Sequence, residues 1–247
     1  MEINRTHLKL HHSATSATMS KSKTQDPTHT TLSGEAKLDD YVRKHSDAEP
    51  EYLYRLYRDT NVRLLHGRMA SGHLQGRLLK MFVEMIRPKN VIEVGTFSGY
   101  SALCLAEGLA EDGHLYTFEI NDEQEVFTRP WIENSPFADK ITFIIGDARK
   151  MAPRLAQEKG ITFDLAFLDG DKRTYLETYE ALLPLMAKGA IILADNTLWD
   201  GHVIEQEYQR DPQTQGIRRF NDFIAADERV EKVIIPLRDG LTVIRKR

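Results

Sequence analysis

The sequence predicts an α/β fold: a mostly parallel sheet with helices on both faces, an antiparallel last strand, and extra helices at the N-terminal side. Three observations carry that expectation. Short continuous apolar runs recur at 91–94, 114–118, 141–145, 163–168 and 190–194, as strands buried on both faces should. Helical stretches at 99–111, 121–134, 148–159 and 172–187 separate them, an alternation that implies right-handed crossovers into a parallel sheet. Near the C-terminus a helix at 216–227 precedes two runs, 230–236 and 241–245. These flank Leu237-Arg238-Asp239-Gly240, and the Asp-Gly pair marks a hairpin.

Ahead of this pattern lie helical segments. Leu38, Tyr41 and Val42 share one face, and Leu53, Leu56, Tyr57, Leu64 and Leu65 continue the theme with a break near Asn61. Leu74, Leu78, Met81, Phe82 and Met85 then recur at helical spacing until Pro88, which reads as an amphipathic helix burying that stripe. Residues 1–34 differ: sixteen are Ser, Thr or His and none is aromatic. Such a segment buries too little surface to offset its ordering entropy, so a disordered tail is expected. The Ser/Thr content suits a transit peptide, but Arg5 is the only arginine there, and Met19 is an alternative start. The four tail histidines, His7, His11, His12 and His29, have no convergent spacing and read as solvated. The division expected is thus a tail over 1–34 and a single domain over 35–247, with helices to 87 and the α/β core from 88.

Composition narrows the function classes. The 247 residues carry 33 basic and 37 acidic side chains, a net charge of −4. That gives no overall pull toward nucleic acid or an anionic membrane. One cysteine, Cys104, excludes a disulfide scaffold and suits a reducing, cytoplasmic setting. No run nears the roughly 18 apolar residues of a membrane span.

In an open α/β sheet, ligands gather at the carboxyl ends of the strands. The first strand ends in Glu93-Val94-Gly95-Thr96-Phe97-Ser98-Gly99. Two glycines bracket a tight turn there, and Glu93 suits a cationic ligand group. The spacing departs from G-x-G-x-x-G, which disfavours a dinucleotide and a nicotinamide oxidoreductase. Glu119 follows 20 residues after Gly99 at the second strand end, where a carboxylate accepts from both ribose hydroxyls. Asp147 or the backbone of Ala148 suits an adenine edge, the competing reading of Asp147 being a helix N-cap. The fourth and fifth strands end in Asp169-Gly170-Asp171-Lys172 and Asp195-Asn196-Thr197. Asp169, Asp195 and Asn196 offer only oxygens, a set for Mg²⁺, with Mn²⁺ or Ca²⁺ as alternatives, and not for Zn²⁺. The competing reading makes Asp195 and Asn196 turn formers and Asp169 a cap. Lys172, three residues after Asp169, faces the same cleft. A dication beside it lowers its proton affinity, which suits a general base; otherwise it is a surface lysine paired with Asp169 or Asp171.

From about Arg68 to the C-terminus these motifs, with Asp195-Asn196-Thr197-Leu198-Trp199 and Asp239-Gly240-Leu241-Thr242, resemble the cation-dependent class I O-methyltransferases, the group of catechol and caffeoyl-coenzyme A O-methyltransferases. The resemblance implies a Rossmann-like, seven-stranded sheet, S-adenosylmethionine as methyl donor, Mg²⁺ and a homodimer. It assigns Glu93, Gly95, Thr96 and Ser101 to the methionine portion of the donor, and Met69 and Ser71 to the segment closing over it. Glu119 corresponds to the ribose ligand, Ala148 to the adenine contact, and Asp169 and Asp171 to further donor contacts. Asp169, Asp195 and Asn196 match the metal ligands, and Lys172 the base. Asp200 stands where plant members carry an asparagine that helps bind the acceptor, so the plant substrates do not carry over. The activity implied is methylation of one hydroxyl of a catechol-like small molecule. A hydroxylated nucleoside in tRNA is the second acceptor, against which the acidic balance argues. A donor-sensing protein without chemistry would need neither metal set nor lysine.

Overall fold

The structure, a computed structural model, describes residues 34–247. The tail expected over 1–34, with its histidines and Met19, therefore lies outside the described residues except for Gly34. The chain divides into two units, one ending at Tyr41 and one spanning Val42–Arg247. The first helix, α1 (Gly34–Lys44), crosses that boundary, and everything below concerns the second unit.

Seven strands form one sheet in the order β3-β2-β1-β4-β5-β7-β6. They are β1 (Asn90–Val94), β2 (His114–Glu119), β3 (Ile141–Ile145), β4 (Phe163–Leu168), β5 (Met186–Asp195), β6 (Val230–Ile235) and β7 (Leu241–Lys246). The first five pair in parallel. The last strand, β7, runs antiparallel and inserts between β5 and β6. The chain order reverses direction across the sheet between β1 and β4, so a crevice opens beyond their carboxyl ends.

Helices cover both faces. On one side Ala148, Ala152 and Ala156 of α6 (Ala148–Lys159), Tyr175, Tyr179 and Leu182 of α7 (Tyr175–Leu182), and Ile217, Phe220 and Ile224 of α8 (Pro212–Ala226) pack on Ile92, Ala166 and Ile192. On the other, Leu53 and Leu56 of α2 (Glu51–Arg63), Leu79 and Val83 of α3 (Gly72–Ile86), α4 (Tyr100–Gly108) and Phe127 and Ile132 of α5 (Glu125–Glu133) pack on Val91, Leu165 and Phe167. The α4 helix is apolar all round because it is enclosed all round.

Four expectations are corrected. α2 runs on through Asn61, whose side-chain amide donates to the Tyr57 carbonyl one turn back (2.8 Å), and the expected break falls two residues later, after Arg63. The stretch 172–187 is not one helix: a single 3₁₀ turn at Lys172–Thr174 leads into α7, a second turn contains Pro184, and β5 begins at Met186. The long β5 start is irregular, with Gly189 at φ +80 and a register break against β4. α8 begins four residues before 216, capped by Asp211 and opened by Pro212, a start signal in its own right. The α3 face differs most. Leu74, Met81 and Met85 are exposed and Leu78 and Phe82 half-buried, whereas Gln75, Gly76, Arg77, Leu79 and Val83 are buried. The polar members of that face are buried with partners, which hydrophobic periodicity cannot register.

Candidate functional site

The tips of β1, β2, β4 and β5 build the site. Beyond β1 the chain turns sharply: the Gly95 and Thr96 amides donate to the Phe118 carbonyl (2.9 and 3.2 Å), and the Asp169 amide to the Val94 carbonyl (2.9 Å). This brings the β1 turn hard against the β4 tip. A Cβ on Gly95 would lie 2.4 Å from the Asp169 carbonyl oxygen, and its φ is +104, so only glycine serves there. The cleft so formed is lined by Met69, Ser71, Gly95, Thr96, Ser101 and Asp169 among others.

Glu93 lies wholly buried beneath this turn. Thr117 donates to its Oε2 (2.5 Å) and shares a hydrogen bond with Thr96 (2.6 Å). Among the described residues Oε1 has no hydrogen-bond partner, and neither does the buried Ser98 hydroxyl. Burial pushes the Glu93 carboxyl up to about 8, against the opposing pull of the Ser101 and Thr117 hydroxyls. Such a group is poised for an incoming cation. At the β2 tip, Glu119 Oε2 accepts from the Phe97 amide (2.8 Å) and Oε1 from the Asn121 amide (2.9 Å). Two backbone donors thus hold that carboxylate for a diol. Asp147 is the N-cap of α6, accepting from the Arg149 amide (3.0 Å) and pairing with its guanidinium. Its oxygens are engaged, so of the two candidates for an adenine edge the Ala148 backbone at the helix start is the one that could serve. Asp171 is engaged likewise, capping the Lys172–Thr174 turn and pairing with Arg173.

The ladder between β4 and β5 ends with Leu168 opposite Ala194, and Asp169 and Asp195 are the next residue of each chain segment. Lys172 is buried and donates to Asp169 Oδ1 (2.8 Å) and to the Tyr175 hydroxyl (3.1 Å). That hydroxyl is shared between the Leu168 and Asp195 carbonyls (2.7 Å each), so Tyr175 ties lysine to both strand tips. Burial pushes the Lys172 ammonium down, but Asp169, Tyr175 and Asp195 together outweigh it, and the net direction is up. Burial and then the neighbouring charge of Asp169 push the Asp195 carboxyl up. Asn196 stands at φ +55, with its amide nitrogen donating to Asp239 Oδ2 (3.3 Å). The opposite side of that amide, Oδ1, takes no hydrogen bond among the described residues. Among the described residues no three His, Cys, Asp or Glu side chains gather as a metal cage. The donor set is instead two carboxylates and an amide oxygen, all hard, and it suits a magnesium-like ion.

Three residues of this site escaped sequence reading. Tyr175 follows Lys172 at one-turn spacing, the only signal it offered. Gln75, buried in α3, donates to Asp195 Oδ2 (2.7 Å). Arg238 in the β6–β7 turn reaches back to Gln75 Oε1 (3.0 Å). The pairs lie 120 and 163 residues apart, and nothing local announces them.

Comparison with known proteins decides the family. Residues 43–247 match the O-methyltransferase family. The chain belongs to the O-methyltransferase family. This methyltransferase is 34% identical to caffeoyl-CoA O-methyltransferase 1 of Eucalyptus globulus over 206 residues, covering 80% of this chain and 82% of that one. Its fold is similar to the O-methyltransferase from Bacillus cereus in complex with SAH, at a TM-score of 0.79 and 28% identity, over 85% of this chain and 97% of that one. It is also similar to the O-methyltransferase TomG from Streptomyces achromogenes in complex with SAM, at 0.80 and 26%, over 87% and 99%. No helix among the described residues of the methyltransferase is long and apolar enough to cross a membrane.

Proposed function

We propose that this O-methyltransferase transfers the methyl group of S-adenosylmethionine to one hydroxyl of a catechol-like small aromatic acceptor, with a divalent cation, Mg²⁺ first, at the β4 and β5 tips. The observation that carries the reading is the buried Lys172 held on Asp169 at the cleft that Gly95 and Asp169 line, with the charge of Asp195 acting on both and Asn196 next to it in the chain. The family, the Bacillus cereus and TomG structures with their bound SAH and SAM, and the caffeoyl-CoA relative support the donor and the acceptor class.

Each residue then has a task. Glu93 takes the α-ammonium of the donor on its unpartnered oxygen, becoming carboxylate as it does. Glu119, held by two amides, accepts from the ribose hydroxyls, and the Ala148 backbone meets the adenine. Ser71 and Met69 close the outer wall, and Asp171 contributes beyond its cap, the weakest of these assignments because Arg173 already engages its carboxylate. When bound by Asp169, Asp195 and Asn196, a divalent ion supplies Lewis acidity toward a phenolic oxygen and offsets the carboxylates that keep Lys172 protonated. Lys172 Nζ takes the acceptor's proton, while Tyr175 keeps the amine aimed. The acceptor ring rests in the neighbouring cleft lined by Leu198, Asp200, Gly201, Val203 and Arg238. A phenol of ordinary pKa near 10 is scarcely ionised at pH 7, so proton removal and alignment are where these side chains act. The exposed row of Leu74, Met81 and Met85 supports the homodimer, since a second copy covers such a row. The single buried thiol of Cys104 supports a cytoplasmic setting.

The test is labelled methyl transfer from S-adenosylmethionine to a panel of catechols and to bulk tRNA, with Mg²⁺ and with a chelator. The expected result is label on a catechol, lost with chelator and lost in D169A. Label confined to tRNA, or transfer unchanged in D169A with metal present, contradicts the reading.

A further inference from the structure

The turn between β6 and β7 touches both proposed ion ligands of β5, one directly and one through α3. Its backbone is bound tightly to the segment after β5: the Thr197 amide donates to the Gly240 carbonyl (3.1 Å), and the Leu198 amide to the Asp239 carbonyl (2.7 Å). From this anchored turn Asp239 Oδ2 accepts from the Asn196 amide nitrogen (3.3 Å). Arg238, at φ +50, extends the other way and donates to Gln75 Oε1 (3.0 Å). It passes over Gly72, where even a Cβ would lie only 3.9 Å from its Nη1. Gln75 in turn donates to Asp195 Oδ2 (2.7 Å). The other oxygen of Asp195, Oδ1, accepts from the backbone N–H of Asn196 (2.9 Å).

Gln75 is 2% exposed in α3, a costly place for an amide unless both of its ends are satisfied. Here both are, in a fixed sense. Arg238, a donor only, takes the amide oxygen, so the NH₂ end must face the carboxylate. With one N–H on each oxygen, the Asp195 carboxylate is held in one orientation, and each oxygen keeps a lone pair for a further partner. Partners of this kind orient a carboxylate ligand and raise its affinity for an ion. We propose that Gln75, keyed by Arg238, is a positioning residue that holds Asp195 in the orientation a divalent cation requires. The inference rests on the metal reading above and deepens it.

The test is binding of Mn²⁺ alone, followed by electron paramagnetic resonance on the full chain, with melting temperature measured beside it. Wild type binds, and D195N does not. Q75L raises the dissociation constant about tenfold or more. R238L shifts it in the same direction by a smaller factor, and R238K, which retains a donor for the amide oxygen, recovers most of the loss. The Mg²⁺ concentration giving half-maximal activity moves with it. A purely structural Gln75 would change the melting temperature and leave the dissociation constant within about twofold of wild type. Mn²⁺ binding of that kind in both Q75L and R238L, alongside its loss in D195N, overturns this inference and leaves the metal reading standing. Wild-type protein that binds no Mn²⁺ overturns both. Should Q75L fail to fold, the surface variants R238L and R238K decide alone.

Discussion

Glu93 is enclosed at the tip of a parallel strand, yet among the described residues only one of its two oxygens takes a hydrogen bond. Burial raises its carboxyl from the ordinary 4.5 to about 8. Because the folded value exceeds the unfolded one, the cost of this group to stability is absent below the first pH and complete above the second. A ligand with an α-ammonium group reverses the balance by favouring the charged form. At pH 7, binding of S-adenosylhomocysteine is therefore accompanied by release of about one proton. Calorimetry in two buffers of different ionisation enthalpy measures it, and E93Q releases none from this position; proton uptake by the wild type would contradict the assignment. Glu93, Glu119 and Asp169 were legible as strand-end acids because a strand end is a local pattern. Gln75 and Tyr175 were not, since their meaning comes from partners that only the folded sheet brings near.

At the scale of elements, the site depends on how closely α8 approaches the turn that carries Lys172. A Cβ on Gly216 would lie 2.2 Å from the Lys172 carbonyl oxygen and 2.8 Å from the Arg173 Cα. Both neighbours are backbone, so neither yields by a rotamer change. G216A is expected to cost about 1–3 kcal/mol, read as a fall of several degrees in melting temperature. It should also lower kcat more than it raises the KM for donor, because the displaced turn holds Lys172 directly and bears on the donor only through its cap, Asp171. An unchanged kcat would mean that the lysine tolerates misplacement. The strands were legible because each is a short apolar run between helices, and α6 matches its expected range residue for residue. α3 was misjudged in its orientation. Its apolar residues spread over more than one face, and the buried face is selected by partners: Arg77 forms a bidentate pair with Glu107 (2.9 and 2.6 Å) and Gln75 meets Asp195. Periodicity counts apolar side chains and is blind to a satisfied polar one.

On the scale of the whole molecule, crossover topology does what no local motif can. Parallel pairing of β2, β1, β4 and β5 sets Glu119, Glu93, Asp169 and Asp195 along one edge of the sheet, although 76 residues of sequence separate Glu93 from Asp169. The antiparallel β7 then delivers the turn holding Arg238 and Asp239 to the same edge. Family membership fixes the reaction class; in the function proposed above, the acceptor would be set by the ion and the cleft beside it. The most direct measurement is diffraction from crystals soaked in Mn²⁺ together with a catechol, recorded at the manganese absorption edge. The account predicts one anomalous peak within coordination distance of Asp169, Asp195 and Asn196, with both catechol oxygens completing the shell. Those three side chains turned apart, with no peak between them under saturating Mn²⁺, would contradict it.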